Sequence, residues 1–295
     1  MKGRWPACFL LLLSSVHAQD CLPAAKTQEL IPAPIHAINF SCREQVLSQE
    51  TISDISSHYR AEVVNAASVA QEMTNLAEEA TERFRAAYQN QGYFKVKVTA
   101  HAAPSEFDKS QYDIYVVAGA AGKQYRLGNL NIVGATLFPT QQLLDLFTIR
   151  PGEIFSRQRI AEGLEALQHL YGSNGYVNYT GVPETQFDDN NVIAHLTINV
   201  DEGKQFRMGS VSMLGLKAET KTRVLSELDL KPGDIFNQVS WQSSLRKLQN
   251  LAPNPDPNTP YKLDHSKLDE QDGLVDVVLD FRKPSTCLAS SSESR

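Results

Sequence analysis

Residues 122–134 read Gly-Lys-Gln-Tyr-Arg-Leu-Gly-Asn-Leu-Asn-Ile-Val-Gly, and this text returns almost unchanged farther along the chain. The second copy, Gly-Lys-Gln-Phe-Arg-Met-Gly-Ser-Val-Ser-Met-Leu-Gly, begins at Gly203, 81 residues after the first. The same offset relates Arg-Pro-Gly-Glu-Ile-Phe at 150–155 to Lys-Pro-Gly-Asp-Ile-Phe at 231–236. A single offset that holds through strand-like, turn-like and helix-like segments indicates a duplicated structural unit.

The unit that starts at Gly122 has the hydrophobic pattern of one strand, two helices and two further strands. Ile160, Leu164 and Leu167 recur at three- and four-residue spacing, which is typical of a helix that buries one face. The alternation from Val192 to Val200 is typical of a half-buried strand. The predicted elements are a strand at 124–133, a short helix capped by Thr140, a helix opened by Ser156, and strands at 176–182 and 192–200.

The same order is predicted for the segments on either side. The preceding segment is divergent in sequence, with a strand near 35–40, a helix capped by Ser48, a longer helix over 67–90, and strands at 93–100 and 112–117. The following segment repeats the middle unit up to Leu248 and then departs from it. Residues 251–260 contain four prolines and no glycine, so the second half of this unit is predicted to be degenerate.

The predicted fold class is therefore α+β. We expect a tandem array of three β-α-α-β-β domains, each with a three-stranded mixed sheet packed on two helices. The expected bounds are 35–121 for the first domain, 122–203 for the second and 204–283 for the third.

The two ends of the chain have a different composition. Residues 1–18 resemble a secretory signal peptide, with Lys2 and Arg4 before an apolar run and Val16-His17-Ala18 as a small-x-small cleavage site. Residues 19–34 are interpreted as a linker and 284–295, which are rich in serine, as a disordered tail. No transmembrane segment is predicted after signal cleavage.

Charge and side-chain patterns exclude several classes of function. The chain of 295 residues has a formal net charge of -6, and signal cleavage would leave 26 basic against 34 acidic residues, which disfavours nucleic-acid binding. The glycines of 122–134 lie in a strand and open no dinucleotide-binding helix. The histidines lack metal-ligand spacing, and Asp188-Asp189-Asn190-Asn191 is interpreted as a hairpin turn rather than a calcium loop. We therefore predict no catalytic residues, no metal, no cofactor and no enzyme activity.

Three cysteines would remain after removal of the signal peptide. Cys21, Cys42 and Cys287 are an odd number in an oxidising compartment. A bond between Cys21 and Cys42 would close a short loop, and a bond from Cys287 to either would join the ends of the chain. Unpaired thiols are an equal alternative, so the sequence leaves the pattern open.

The ordered motifs resemble those of the polypeptide-transport-associated (POTRA) domain. They are Gly-x-Leu-x-Ile-x-Gly at 128–134, Pro-Gly-Glu-Ile-Phe at 151–155, and Leu-x-x-Leu-Tyr at 167–171 followed by Gly175-Tyr176. The resemblance implies the periplasmic part of outer-membrane barrel-assembly insertases and two-partner secretion transporters. Because only residues 284–295 follow the third unit, we expect the C-terminal β-barrel of those proteins to be missing.

The resemblance also implies where the chain binds. If the family's strand order applies, the edges of the first two sheets are 93–100 and 176–182, where an extended polypeptide can add as a further strand. The predicted function is a non-enzymatic periplasmic scaffold, peripheral to the outer membrane of a Gram-negative-type bacterium, that binds exported unfolded polypeptides or an outer-membrane barrel or assembly complex. The alternative is a structural adaptor between envelope complexes with no unfolded client. The candidate edge residues are Phe94, Lys95, Val96, Lys97, Val98, Val177, Asn178, Tyr179 and Thr180.

Overall fold

A computed structural model describes residues 29–251 and 265–282. The predicted signal peptide at 1–18, most of the predicted linker and the predicted tail lie outside this part of the chain. The strands are β1 (Leu30–Pro32), β2 (Ile35–Cys42), β3 (Val63–Asn65), β4 (Val98–Pro104), β5 (Tyr112–Ala118), β6 (Arg126–Val133), β7 (Thr180–Asp188), β8 (Ile193–Asp201), β9 (Arg207–Leu214), β10 (His265–Asp269) and β11 (Leu274–Asp280). The helices are α1 (Gln49–His58), α2 (Val69–Asn90), α3 (Thr140–Asp145), α4 (Arg157–Ser173), α5 (Ala218–Ser226) and α6 (Gln238–Leu251).

Three three-stranded sheets share one topology. Their orders are β2-β5-β4, β6-β8-β7 and β10-β11-β9, so the last strand of each domain is central. It pairs in parallel with the first strand and antiparallel with the strand before it. The parallel pair requires a long crossover, which the two helices of each domain supply. The predicted α+β array of three β-α-α-β-β domains is confirmed.

Local capping signals in the sequence account for the starts of α1 and α4. The Ser48 hydroxyl accepts the Thr51 N–H at 3.1 Å at the start of α1, and Ser156 caps α4 by accepting from Arg159 N–H at 3.4 Å. The predicted cap at Thr140 is wrong, because Pro139 occupies the N-cap position and Thr140 is the first helical residue. Proline has no N–H to satisfy and its fixed φ suits a helix start.

Each domain has its own hydrophobic core between its helices and its sheet. In the second domain, Leu143 and Phe147 pack against α4 and are fully buried. Gly163 of α4 is required for this packing, since a Cβ there would lie 2.2 Å from Cδ1 of Phe147. A missing side chain in mid-helix thus leaves room on α4 for the ring of Phe147, which follows α3.

The first domain begins earlier than predicted. Leu30–Pro32, placed in the linker by the sequence, forms β1 and pairs antiparallel with β3, at Val63–Asn65. The second domain has a comparable pairing near its start, where Arg126 of β6 and Ile154 of the Pro-Gly segment form an isolated antiparallel bridge. β1 therefore belongs to the first domain, and the prediction that residues 30–32 are linker is wrong.

The third domain is more complete than predicted. β10 pairs antiparallel with β11 over its whole length, from His265 opposite Val278 to Asp269 opposite Leu274. The five-element order therefore recurs in the third domain, and the prediction of a degenerate second half is wrong for this strand. The proline-rich residues at 253–260 lie outside the described residues.

In the part of the chain that the structure describes, no helix combines the length and the apolar character that crossing a bilayer would require.

Cys42 is half-buried, and its thiol lies 3.5 Å from Oε1 of Gln45. Cys21 and Cys287 lie outside the described residues, so the pairing of the cysteines stays open.

Candidate functional site

The candidate edge strands start later than the sequence predicted. The edge of the first sheet is β4, from Val98, and that of the second is β7, from Thr180. The predicted ranges 93–100 and 176–182 were therefore displaced toward the N-terminus. Of the nine candidate residues only Val98 and Thr180 lie in edge strands. The other seven lie at or next to the two joints between domains.

Phe94 belongs to an aromatic cluster between the first and second domains. Its ring centroid lies 4.9 Å from that of Phe155, 5.4 Å from Phe187 and 6.5 Å from Tyr125. Val96, two residues later, is 5% exposed. The alternation that resembled a strand thus reflects apolar side chains packed at a joint and in the first core.

Lys95 forms an ionic clasp across the same joint. Its Nζ lies 2.5 Å from both carboxylate oxygens of Asp189, which also accepts the Tyr125 hydroxyl at 2.5 Å. Nζ of Lys123 donates to the Asp189 carbonyl at 2.6 Å. The hydrogen bonds from Lys95 and then Tyr125 lower the pKa of Asp189. Lys97 lies beyond the clasp with its side chain exposed, while its carbonyl accepts from Gly119 N–H at 2.9 Å.

The joint between the second and third domains uses equivalent positions with weaker groups. Val177 packs against the core of the third domain. It occupies the position that Phe94, with its cluster of aromatic rings, has in the first joint. Asn178 donates to Oε1 of Glu270 at 3.2 Å, in place of the ion pair of Lys95. Tyr179 is buried in the second domain, with its ring stacked on Tyr171 at 4.2 Å.

Backbone contacts are the same in both joints. Tyr125 N–H donates to Gly92 C=O at 2.9 Å, and Phe206 N–H donates to Gly175 C=O at 2.8 Å. The preceding glutamines also correspond, since the side-chain amide of Gln124 donates to Gln91 C=O and that of Gln205 to Asn174 C=O, both at 2.9 Å. The repeated text Gly-Lys-Gln-aromatic-Arg is thus the sequence of a domain joint.

The Pro-Gly motif covers part of one sheet edge. Leu127 N–H donates to Glu153 C=O at 2.8 Å, and Gly152 N–H donates back to Leu127 C=O at 2.7 Å. These bonds occupy the outer side of β6 at its start. The opposite edge of the same sheet, β7, has no comparable cover among the described residues.

β7 is the longest and most open of the candidate edges. It spans nine residues, most of them exposed, and its Val182 side chain is 59% exposed. Pro183 has no N–H, so it fits this strand only where its nitrogen points away from β8. Residues two apart in an antiparallel strand point the same way, so the N–H groups of Gly181 and Thr185 also point outward. An extended chain added here would meet unpaired donors and acceptors.

β4 offers a shorter edge with smaller side chains. Thr99 and His101 are exposed, and the His101 ring stacks on Tyr115 of the central strand at 5.3 Å. Pro104 ends the strand.

No group of three or more His, Cys, Asp or Glu side chains within 29–251 and 265–282 is arranged to hold a metal ion. The aspartates of the turn at 188–191 serve the hairpin and the joint, since Asp188 accepts N–H groups of Asn190 and Asn191 at 2.9 and 3.0 Å.

A comparison with protein-family models matches residues 125–203 to the POTRA family, described as surface antigen variable number repeat. This segment is a POTRA domain. The matched region begins at the aromatic residue of the first joint and ends at the start of the second. The chain carries it as the middle member of an array of three POTRA-like domains with one strand topology.

Proteins similar to this chain come from several bacteria. One from Treponema pallidum (strain Nichols), whose name classes it provisionally as an outer membrane protein assembly factor, is 29% identical over 208 residues, 68% of this chain and 24% of its own length. Outer membrane protein assembly factor BamA of Buchnera aphidicola is 28% identical over 152 residues, 51% of this chain and 24% of its own length. The chain thus spans about a quarter of the length of these relatives.

Among solved structures, POTRA domains 3–5 of Haemophilus influenzae BamA align with a TM-score of 0.62 at 17% identity. The alignment covers 88% of this chain and 99% of that one. At this identity the likeness concerns the fold, and it supports the assignment of the array as POTRA-like.

Proposed function

We propose that this protein is a non-enzymatic periplasmic scaffold for outer-membrane protein assembly or secretion that binds extended polypeptides along the edges of its sheets. The observation that carries the proposal is the open edge of β7, with Val182 exposed and the outward N–H of Thr185 unpaired by β8. β4 supplies a second edge. The similarity to assembly factors supports the setting, an outer membrane with its barrel proteins or assembly complex as partners.

The strength of one edge suits transient binding. A nine-residue strand presents about four residues outward, each with a C=O and all but Pro183 with an N–H, so about seven backbone hydrogen bonds can form at about 1 kcal/mol net each. Association costs at least about 4 kcal/mol in lost translational and rotational freedom, so the surplus corresponds to a Kd in the millimolar range. Because main-chain bonds carry little sequence information, such an edge accepts many clients, and two edges on one array would raise the avidity.

The test compares Thr185→Pro with Thr185→Ala in the purified chain. Both variants remove the threonine side chain and leave the β7–β8 ladder intact. Only proline also removes the outward N–H. The probe is a synthetic peptide from an outer-membrane β-strand, kept extended and added at millimolar concentration. We expect amide-exchange protection at 180–188 that Thr185→Pro weakens about fivefold to tenfold and Thr185→Ala preserves.

Two results would count against edge binding. One is the absence of added protection at both 98–104 and 180–188. The other is equal binding by Thr185→Pro and the wild-type chain, with exchange in β8 unchanged in the variant.

A structural adaptor between envelope complexes is the second candidate. The direct contacts at both joints favour it, since Gly92 and Gly175 bond to the next domain through their carbonyls. Crosslinking in the native cell envelope separates the two functions. Recovery of folded partners alone, with no unfolded client on β4 or β7, would favour the adaptor.

A further inference from the structure

A groove runs along α4 beside the face that packs in the second core. The core side of α4 presents Ile160, Leu167 and Tyr171, which are buried. The groove of about 530 Å³ lies on an adjacent face and is lined by Leu146, Glu162, Glu165, Ala166, His169, Leu170 and Ser173. The helical residues recur at three- and four-residue spacing, so they form one stripe.

This groove continues to the third domain. A neighbouring hollow of about 350 Å³ shares Glu165 and His169 and is closed on its far side by residues of α6, among them Val239 and Arg246. From residue 162 to residue 173, α4 rises about 17 Å, which is the length of a helix of about three turns.

The floor of the groove is apolar and its rim is charged. Leu146 and Leu170 are half-buried on the outer side of the second core. Glu162 and Glu165 are exposed on the rim, and neither forms an ion pair with any described residue. Arg246, at the α6 end, is also exposed and has no hydrogen-bond partner among the residues described. The groove thus has an apolar floor at Leu146 and Leu170, an acidic rim at Glu162 and Glu165, and a basic residue, Arg246, at its α6 end.

We propose that this groove binds an amphipathic helix of a partner protein with leucine-like residues on its apolar face and Lys or Arg along one flank. The apolar face would cover Leu146 and Leu170, and the basic flank would face Glu162 and Glu165. The C-terminal end of the helix, with its partial negative charge, would lie toward Arg246. Because α4 and α6 belong to different domains, the bound helix would brace the second joint. This site is separate from the proposed edge of β7.

The test uses the full chain and two capped 14-residue helical peptides. One has a leucine stripe flanked by lysines, and the other has glutamate at every lysine position. We expect the lysine peptide to bind at least tenfold more tightly at low salt, with amide-exchange protection at 162–173 and 238–246. Glu162→Gln with Glu165→Gln should weaken it roughly fivefold. Leu170→Gln should weaken it about tenfold.

Matched controls separate the groove from general attraction to an acidic protein. Glu78→Gln with Glu82→Gln removes two exposed charges from α2, and Leu225→Gln replaces a leucine that is 47% exposed on α5. Neither control should change binding. Equal binding of the two peptides, or equal losses in the control variants, would overturn the proposal. So would protection confined to 180–188, which would support edge binding alone.

Discussion

Gly92 and Gly122 have nearly the same backbone conformation, with φ at +81° and +79°, but different surroundings. A Cβ at Gly92 would lie 2.7 Å from Tyr125 O across the first joint, whereas nothing lies within 4 Å of one at Gly122. We expect Gly122→Ala to cost about 1 kcal/mol from backbone strain alone and Gly92→Ala to cost at least about 1 kcal/mol more. Urea midpoints of both variants would measure the difference.

Gly122→Ala is the control here, because the two substitutions share the strain and differ only in the contact. Equal midpoints would show that the joint yields to the extra methyl group. The clash would then be relieved by movement of the second domain, and the joint would be softer than its bonds indicate.

Glu202 ties the end of the second domain's sheet to a loop. Burial opposes its ionised form, but Thr136 O–H and N–H at 2.5 and 2.9 Å, Leu137 N–H at 3.0 Å and Tyr171 O–H at 2.8 Å lower its pKa to about 2. A carboxylate whose pKa is lowered by folding stabilises the fold at pH values above its pKa in the unfolded chain, near 4.3. This contribution is lost as the pH falls toward 2.

We therefore expect Glu202→Gln to lower stability at pH 7 by roughly 1 kcal/mol, a value kept small because solvent screens the carboxylate. About half of the gap between the variant and the wild type should be gone by pH 3, and the rest should disappear as the pH approaches 2. Thermal unfolding of both chains from pH 7 to pH 3 would measure it. A gap that stays constant with pH would mean that the charge of Glu202 contributes nothing.

The segment that follows α2 connects two domains through two unequal interactions. The ion pair of Lys95 with Asp189 joins side chains that are 52% and 58% exposed, and exposed pairs contribute about 0–1 kcal/mol. The ring of Phe94 contacts three aromatic rings, and truncating a packed phenylalanine costs about 3 kcal/mol. The aromatic cluster should thus dominate the first joint.

We expect Phe94→Ala to lower stability by about 2–3 kcal/mol and Lys95→Ala to lower it much less, because solvent screens the exposed ion pair. Val177→Ala, the equivalent change in the second joint, removes fewer atoms and should cost about 1 kcal/mol. Calorimetry of the three variants would rank them. A larger loss for Lys95→Ala than for Phe94→Ala would contradict this order.

The same segment shows what the sequence could and could not predict. The helices were found because caps such as Ser48 and Ser156 and the spacing of apolar residues act locally. The alternation of Phe94, Val96 and Val98 has the period of a strand, yet its first member packs on another domain. Tertiary contacts decide which surface buries an apolar residue, and a local pattern does not contain them. The start of the strand was therefore misplaced.

β1 was missed for a related reason. It has three residues, ends in proline and pairs with residues about 30 positions later. Strands this short have too few residues for a pattern, and their pairing depends on α1 having brought β3 into place.

Across the whole molecule, the two joints are built alike but held unequally. The first has the ring cluster of Phe94 and the clasp of Lys95, and the second has Val177 and an amide contact of Asn178. We expect domains 1 and 2 to move together and the angle between domains 2 and 3 to vary more.

Spin-label distances would measure this difference in a chain whose native cysteines are replaced by serine. Labels at positions 74 and 161 report on the first joint, and labels at 161 and 219 on the second; all three residues are exposed. The distance distribution across the second joint should be the broader. Equal widths, or a broader first joint, would contradict the expectation.

Each joint connects the segment after the second helix of one domain with the start, the Pro-Gly segment and the hairpin turn of the next. In the first joint these stretches are 90–95 on one side and 122–125, 154–155 and 187–189 on the other. A copy of one whole unit placed between its neighbours would therefore bring both halves of two working connections. Duplication can lengthen or shorten such a protein in steps of about 81 residues without redesigning any core.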